Sequence, residues 1–439
     1  MEGRKVVEMR SIWTENTSMP RFDKLKGSRK TDVLIIGGGM AGILCAYFLE
    51  NAGVEYILAE GRRICSGVTK NTTAKITAQH GLIYHKLLKG AGLEKAKMYL
   101  DANQEAVRKF DRLCRSIACD YEVRPSFVYS RKDRKRLEHE AEALARLGAR
   151  PILTEECELP IKTAGAVGVA EQAQFNPLKF ISRIAQGLNI YEETFIRELT
   201  EKTALTDEGS IAFDRVIFAT HFPIDNTHGM YFMKMYQYRS YVIALKGAPQ
   251  LKGMYVDEAE GGMSFRSFRD YLLLGGGGHK TGKIGGNWEA IRNCARLYYP
   301  NLDERYYWST QDCITLDGIP YIGRYSRRTQ DRYAAAGFNK WGMTASMVSA
   351  SILTDMILDK ENPYAPVFSP SRNMLKPQLM VNCLAAAAHF ITFSEKRCPH
   401  LGCALVWNRA EHSWDCPCHG SRFDGFGKLL DNPANGDLH

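Results

Sequence analysis

Apolar and polar positions in the first sixty residues alternate between the patterns of strands and helices. A continuous apolar run at 31–36 predicts a buried strand, and the apolar stretch 40–51 predicts a helix after a glycine turn. A second apolar run at 56–60 predicts another strand. Strand, turn, helix and strand in this order indicate the start of a parallel sheet flanked by helices.

The rest of the chain mixes helical periodicity with short extended segments. Helices are predicted at about 93–119, 133–147, 177–188 and 343–359. Alternation between 238 and 275 predicts antiparallel strands, and 332–336 predicts a strand that returns to the first sheet. Near the end of the chain, 379–388 is predicted to be helical, and 389–393 is the one short strand expected before residue 398.

Composition and charge narrow the class of protein. The 439 residues are 45% hydrophobic and 24% charged, which is typical of a soluble protein with two or three domains. The net charge of +9 is spread along the chain, and we interpret the densest basic cluster, 131–136, as a solvated helix face. The N terminus lacks the apolar core of a signal peptide, and the best membrane candidate, 379–393, is shorter than the roughly 20 residues of a spanning helix. We therefore expect a cytoplasmic protein with no nucleic-acid partner and no membrane span.

The glycine turn between the first strand and helix has the spacing of a dinucleotide site. Residues 37–42 read G-G-G-M-A-G, which fits G-x-G-x-x-G between a strand and a helix. Gly37 permits the tight turn, Gly39 lets the backbone approach a pyrophosphate, and Gly42 allows close packing of helix on strand. Glu60, at the end of the second strand, can accept hydrogen bonds from a ribose, which argues against a 2′-phosphate cofactor.

Four further stretches carry a resemblance to one family. Residues 60–69 read E-G-R-R-I-C-S-G-V-T, 213–220 form a predicted strand ending A-T, 315–323 read T-L-D-G-I-P-Y-I-G, and 336–344 read A-G-F-N-K-W-G-M-T. In this order they resemble the D-amino-acid oxidase/glycine oxidase (DAO) family of flavoenzymes. The resemblance implies FAD as the cofactor and a helix that starts after 336–344 and points at the flavin ring, where its dipole would stabilise reduced flavin.

The resemblance also implies which residues contact FAD. The expected contacts are Gly37, Gly39, Met40, Ala41, Gly42, Glu60, Gly61, Arg62, Thr69, Thr72, Thr73, Ile196, Ala219, Thr220, Gly342, Met343 and Thr344. No clear match to the flavin-linking cysteine of sarcosine oxidases is visible, so noncovalent FAD is expected. The glycine run 275–278 leads into more glycine rather than a helix, so a second nucleotide domain that would bind NAD(P)H is not expected.

Cysteine and histidine cluster near the C terminus with the spacing of a metal site. Cys398 and His400 form C-x-H, and Cys416 and His419 form C-x-x-H. Two thiolates on one iron and two imidazoles on the other are the ligands of a Rieske [2Fe–2S] centre. The same four residues are also able to hold a tetrahedral zinc ion, which is the alternative interpretation.

The two ligand loops, 398–403 and 416–421, resemble those of Rieske proteins. They read C-P-H-L-G-C and C-P-C-H-G-S, and we call them the cluster loops. Many Rieske proteins tie such loops with a disulfide at the positions of Cys403 and Cys418, so the resemblance implies that pair here. Rieske domains usually place several strands before the first loop, whereas this chain has one candidate, so a small, shortened β-type module is expected.

Together the elements predict an α/β protein with a Rossmann-like FAD-binding domain, an α+β substrate domain built on an antiparallel sheet, and the small Rieske module. The expected division is an N-terminal extension at 1–30, a DAO-type oxidoreductase at 31–360, a linker at 361–378 and a Rieske-like module at 379–439. Within the oxidoreductase, the FAD-binding parts are expected at about 31–90, 190–222 and 310–360, and the substrate-domain parts at about 91–189 and 223–309.

Candidate substrate-side residues follow from the resemblance alone. His80 and Lys75 lie in a stretch that lines the flavin's substrate face in relatives, and Arg266 is expected to pair with a substrate carboxylate. Lys280 loosely matches the lysine by which sarcosine oxidases activate oxygen. Thr344 stands where those enzymes place a carboxylate-binding lysine, so sarcosine itself is not the expected substrate. A structural role is the alternative for each candidate.

The resulting hypothesis is an enzyme that oxidises an amine or an N-substituted amino acid at FAD and passes electrons to the Rieske centre. An unidentified one-electron acceptor would then reoxidise the cluster. Two alternatives remain open: an oxidase that uses oxygen and carries a degenerate Rieske module, and a flavin/iron–sulfur redox sensor or electron carrier without an organic substrate.

Overall fold

The structure is a computed structural model and describes residues 7–225, 228–392, 394 and 396–438. Its first sheet has eight strands. They are β1 (Gly27–Ile36), β2 (Tyr56–Ala59), β7 (Ile190–Tyr191), β8 (Glu198–Leu199), β9 (Thr203–Leu205), β10 (Gly209–Phe218), β16 (Tyr321–Ser326) and β17 (Thr329–Ala336). The order β16-β17-β10-β1-β2-β7 is parallel from β17 to β7, with β16 antiparallel at the edge. The strand predicted at 332–336 does return to the first sheet.

A second sheet has nine strands and is largely antiparallel. They are β3 (Lys75–Ile76), β4 (Glu122–Ser130), β5 (Pro151–Thr154), β6 (Gly165–Gln174), β11 (Met235–Lys246), β12 (Met254–Asp257), β13 (Ser264–Phe268), β14 (Tyr271–Lys280) and β15 (Asp303–Thr315). Its order is β15-β11-β14-β13-β12-β4-β6-β3, with β5 paired to β6. The glycine run 275–278 lies inside β14, so it belongs to a strand rather than to a nucleotide-binding turn.

The described residues form nine helices. They are α1 (Met40–Asn51), α2 (Ile83–Cys114), α3 (Arg134–Arg146), α4 (Pro177–Ile184), α5 (Tyr231–Lys234), α6 (Asn287–Tyr298), α7 (Gly342–Ile357), α8 (Ala365–Phe368) and α9 (Pro377–Ile391), with 3₁₀ turns at Ile12–Thr14 and Val68–Asn71. The span Ile83–Cys114 consists of two helical segments that meet in a kink at Gly92, whose φ of +84° is not helical. The helix predicted to begin near 93 is the second segment, and it ends at Cys114 rather than Cys119. That kink explains why the sequence pattern changes there.

The C-terminal module, residues 379–439, contains a four-stranded antiparallel sheet, of β18 (Val406–Asn408), β19 (Ser413–Asp415), β20 (Arg422–Asp424) and β21 (Leu429–Asp431). The prediction of a strand at 389–393 is wrong, because α9 continues to Ile391; Phe393 lies outside the described residues. The alanine-rich run before His389 favours a helix. The end of this helix is attached to the first cluster loop, because the His389 carbonyl accepts a hydrogen bond from the Ala404 N–H at 3.0 Å. None of the described helices is long and apolar enough to cross a membrane.

Candidate functional site

The glycine turn after β1 brings strand and helix into direct contact. Gly37 has a φ of +110°, which residues with a side chain rarely adopt. A Cβ at Gly42 would lie 1.9 Å from the Gly37 carbonyl oxygen, so only glycine fits there. Gly39 caps α1, and the next N–H, of Met40, donates to Thr69 Oγ1 at 3.0 Å. The turn therefore has the close packing that the G-x-G-x-x-G pattern predicts.

The Glu60 carboxylate is fixed at the end of β2. Its Oε2 accepts from the Gly38 N–H at 2.6 Å, and its Oε1 accepts from the Arg62 N–H at 2.8 Å. Burial raises the pKa of Glu60, while the two N–H donors act in the opposite direction. The side chain is thus rigidly placed beside the turn, where the sequence predicted a ribose contact.

One large cavity begins at this turn and runs between the two sheets. All the predicted FAD contacts line it except Gly42 and Thr344. Gly42 lies beneath the turn, and Thr344 faces away from the cavity and donates to the Thr77 carbonyl at 3.1 Å. The predicted contacts that line the cavity come from five separate parts of the sequence (37–41, 60–73, 196, 219–220 and 342–343) and are brought together in one place.

The opposite wall of the cavity comes from the second sheet and was not foreseen. Small side chains dominate it, and its residues include Ser240, Val242, Ser264, Gly275, Gly276, Gly278, Thr310 and Asp312. A glycine run inside a strand is the signal that could have indicated this wall, because such a run leaves room for a ligand against the sheet.

His80 is buried outside the cavity lining. Its Nε2 lies 2.8 Å from the Thr77 carbonyl, so this nitrogen carries the proton, and Nδ1 accepts from the Tyr99 hydroxyl at 2.7 Å. The ring stacks on Trp341 with centroids 5.0 Å apart. Burial lowers the pKa of His80 to about 3, so the ring is neutral. These contacts tie the segment after β3 to the start of α7.

We expect His80→Ala to destabilise the protein without weakening FAD binding. The change leaves the Tyr99 hydroxyl and the Thr77 carbonyl without this partner and opens a cavity, which together cost about 2–4 kcal/mol in the free energy of unfolding. Urea unfolding and the FAD content of the purified protein measure the two effects. His139→Ala, at an exposed histidine, is the control, and full stability of His80→Ala would contradict the structural role.

Arg266 also lies outside the cavity lining. Its guanidinium sits 5.2 Å from the Trp13 ring centroid and 5.9 Å from that of Phe268, and it donates to the carbonyls of Thr73 and Ala74. Burial lowers its pKa to about 9. The structure thus places Arg266 behind the cavity-lining Thr73, not facing a substrate carboxylate as predicted.

Lys280 lies beside the second cluster loop and outside the cavity lining. Burial and Lys283 lower its pKa, the Cys416 thiolate acts in the opposite direction, and Lys280 itself lowers the pKa of His419. Its ammonium group is 5.4 Å from the Tyr236 ring centroid. This position differs from the predicted place at the flavin.

Other cations do line the cavity. Lys75 hydrogen-bonds Thr73 Oγ1 at 3.1 Å, and burial together with Arg266 lowers its pKa to about 7. Lys340 stacks 4.1 Å from the Tyr238 ring centroid; burial lowers its pKa, and Asp312 acts in the opposite direction. Lys75 was expected at the substrate side from the sequence, whereas Lys340, within the stretch 336–344, was not foreseen.

The cluster loops converge at their predicted ligands. The Cys398 and Cys416 thiols are hydrogen-bonded neighbours, and the rings of His400 and His419 have centroids 4.9 Å apart. His419 Nδ1 is buried and has no hydrogen-bond partner among the described residues. Burial lowers the pKa of His400 to about 4 and of His419 to about 3, which favours the neutral imidazole that a metal requires. Two thiols and two neutral imidazoles at one point fit the [2Fe–2S] centre.

The two remaining cysteines of the loops are paired. Cys403 and Cys418 form a disulfide, with Cα atoms 6.7 Å apart. Because the pair spans both loops, it holds the first loop against the second. Cys403, Cys416 and Cys418 also place their sulfur atoms within 4.8 Å of one another.

The C-terminal module is packed on the second sheet through a buried ionic network, which we define as Arg239, Glu411, Asp415, Arg422 and Asp431. Glu411 pairs with Arg239 and accepts from Arg422 at 2.9 Å. It also accepts from Tyr241 at 3.0 Å and Ser309 at 2.7 Å, both on the second sheet. The side chains of Arg239 and Glu411 are 3% and 4% exposed. The network thus joins module and sheet through charged side chains of which Arg239 and Glu411 are almost fully buried.

The rings of the two histidines face the rest of the protein. Phe222 meets His400 edge to face with centroids 6.3 Å apart, and Phe232 meets His419 at 5.9 Å. The module also reaches the cavity itself, because residues within 429–435 line it. No feature of the sequence around 429–435 pointed to this contact.

Two families match the chain. The FAD dependent oxidoreductase (DAO) family matches residues 32–356, and the Rieske [2Fe-2S] domain matches residues 382–439. The chain therefore belongs to the DAO family of FAD-dependent oxidoreductases and carries a C-terminal Rieske domain. It is an enzyme whose cofactors are FAD and a [2Fe–2S] cluster, and the predictions of fold class and of both cofactors are confirmed.

Individual proteins resemble the chain over most of its length. It is 33% identical to the putative Rieske 2Fe-2S iron-sulfur protein YhfW of Bacillus subtilis (strain 168), over 97% of this chain and 96% of that protein. Glycine oxidase from Geobacillus kaustophilus superposes with a TM-score of 0.64 at 17% identity, over 79% of this chain and 99% of that one. L-proline dehydrogenase from P. horikoshii superposes with a TM-score of 0.66 at 18% identity, over 79% and 98%. These two structures share the fold.

Proposed function

We propose that this enzyme oxidises an amine or an N-substituted amino acid at noncovalently bound FAD and passes the electrons to its own Rieske centre. A separate one-electron acceptor then takes them from the cluster. We further propose that residues 31–360 form the oxidoreductase and 379–439 the Rieske module, joined by the linker 361–378.

One observation carries this proposal: the cavity and the cluster loops share a wall. Thr220 and His221 line the cavity, and the next residue, Phe222, packs its ring against His400. The loop that follows β10 therefore links the cavity to a cluster ligand through one peptide bond and one ring contact. Such continuity favours electron transfer within the chain over an oxidase in which the module has no role.

The residues of the chain supply binding, orientation and exclusion of water. When bound, FAD supplies the two-electron chemistry and the [2Fe–2S] cluster supplies one-electron chemistry. Lys75 and Lys340 are placed to hold an anionic group of the substrate, and Asp312 is placed to hold a cationic amine. The glycine-lined wall leaves space for the substrate against the second sheet. An amino acid presents both charges, so it fits this set of side chains.

An anaerobic titration with a panel of amines and amino acids, including glycine and L-proline, tests the function. We expect one class to bleach the flavin absorbance and then to produce the EPR signal of a reduced Rieske centre, with a g value of roughly 1.9. His400→Cys, which replaces an imidazole ligand by a thiol, is the control: flavin bleaching should persist while the Rieske signal is lost.

Each alternative gives a different result in the same titration. Fast peroxide release in air with no cluster signal would indicate an oxidase with a degenerate module. Absence of bleaching by every amine and amino acid would indicate a sensor or electron carrier. Either result would overturn the proposed function.

A further inference from the structure

We propose that segment 429–435 of the C-terminal module is part of the FAD site, so that retention of FAD and assembly of the iron–sulfur cluster are coupled. The described cavity has a third wall, which consists of Leu429, Leu430, Asp431, Asn432, Ala434 and Asn435.

Two sets of hydrogen bonds fix this wall against predicted FAD contacts. Arg62 Nη2 donates to the Leu429 carbonyl at 2.6 Å. Asn432 Nδ2 donates to the Thr220 carbonyl at 2.7 Å and to the Phe222 carbonyl at 2.9 Å. Arg62 and Thr220 both line the cavity themselves. The segment is therefore hydrogen-bonded to two cavity-lining residues that are predicted to contact FAD.

Charge within the segment is compatible with a nearby pyrophosphate. Asp431 lines the cavity, but its carboxylate accepts from Arg422 at 3.0 Å and lies 4.0 Å from Arg239. These two guanidinium groups lower the pKa of Asp431 against the opposing effect of burial, so the carboxylate is charged and paired. The two guanidinium groups partly offset the negative charge that Asp431 brings to the cavity.

The same segment is attached to the second cluster loop. Ala434 N–H donates to Ser421 Oγ at 3.0 Å, and Cys416 N–H donates to the Ser421 carbonyl at 2.8 Å. Ser421 thus connects a cluster ligand to the third wall within a few bonds. Metal binding orders the loops that carry its ligands. Ordering these loops also orders segment 429–435.

Coupling of this kind is reciprocal. If the assembled cluster raises the affinity for FAD by some factor, bound FAD raises the affinity for the cluster by the same factor. Couplings between linked sites are typically about 5- to 150-fold. A loss of the cluster is therefore expected to weaken FAD binding although no cluster ligand lines the cavity.

FAD affinity of the full-length chain tests the proposal, measured by fluorescence titration of FAD-depleted protein without any amine present. We expect Cys416→Ser, which lacks the cluster, to raise the Kd for FAD by about 5- to 150-fold. Asn432→Ala, which keeps all cluster ligands, is expected to raise it about tenfold through loss of two hydrogen bonds. Phe426→Ala, at a 99% exposed position in the turn before the segment, is the matched control and should leave the Kd unchanged.

A second measurement covers the case in which Cys416→Ser does not fold. The cluster is removed from the purified wild-type protein by ferricyanide and a chelator, and the Kd for FAD is measured before and after. Equal Kd values with and without the cluster, together with an unchanged Kd for Asn432→Ala, would overturn the coupling. Because no substrate is used, this outcome is independent of whether amines reduce the flavin.

Discussion

Gly42→Ala is expected to abolish FAD binding. A Cβ at this position would lie 1.9 Å from the Gly37 carbonyl oxygen and 3.1 Å from its carbonyl carbon. Both are backbone atoms that cannot rotate away, so α1 must move off β1 and the turn that receives the pyrophosphate must open. Overpacking of this kind costs about 1–3 kcal/mol or more in stability. FAD content after purification and the Kd on reconstitution are the measurements.

Gly90→Ala is the matched control for this change. Gly90 is an exposed glycine inside α2, and a Cβ there meets nothing within 4 Å. The same substitution should raise stability there by roughly 0.5–1 kcal/mol and leave FAD binding intact, because alanine is the better helix former. Normal FAD binding by Gly42→Ala would show that the turn is not the cofactor site.

Glu411→Ala is expected to destabilise the protein by about 3–5 kcal/mol, since it removes the central carboxylate of the buried ionic network. The side chains of Arg239 and Arg422 are only 3% and 7% exposed. Without Glu411 these two buried guanidinium groups would have fewer carboxylates to balance their positive charge. Urea unfolding measures the effect, and release of the C-terminal module is monitored by proteolysis. Glu289→Ala, which breaks an ion pair whose side chains are 62% and 63% exposed, should cost at most about 1 kcal/mol.

The same carboxylate makes stability depend on pH. Burial by itself would raise the pKa of Glu411, but Arg239 and Arg422 outweigh it and lower the pKa from 4.5 to about 2. A carboxyl group whose pKa is lowered by folding stabilises the folded state at pH values above its pKa in the unfolded chain. This stabilisation is lost as the pH falls toward the pKa in the folded state. Between pH 5 and pH 2 the free energy of unfolding of the wild-type protein should therefore fall by on the order of 3 kcal/mol through this group. Glu411→Ala lacks the carboxylate and should not show this part of the fall. Identical pH profiles for the two proteins would contradict this role.

The sequence predicted the elements that depend on local pattern. The helix at 40–51 and its glycine turn were predicted with their observed bounds, because apolar periodicity and glycine spacing act over one or two turns of chain. The strand at 389–393 was predicted wrongly for a related reason. A short apolar run does not distinguish strand from helix, and the preceding alanines extend α9 to Ile391.

The substrate-side candidates, which followed from the family resemblance alone, show what the sequence leaves undecided. His80, Arg266 and Lys280 are all close to cavity-lining or cluster residues, yet each side chain points to another partner. Lys340 and Asp312 face the cavity instead, although neither stood out as a charge cluster. Which way a side chain points depends on how strands from distant parts of the chain pair.

By itself, then, the sequence determined the family, the fold class and both cofactors. It could do so because the residues that define each motif, such as 37–42 and the cluster loops, lie within a few positions of one another in the sequence. The tertiary structure alone decided that residues within 429–435 line the cavity beside the glycine turn and that Glu411 meets Arg239. These contacts join residues more than a hundred positions apart. Their energy comes from burial and pairing of groups that only the packed sheets bring together, and no local pattern encodes that proximity.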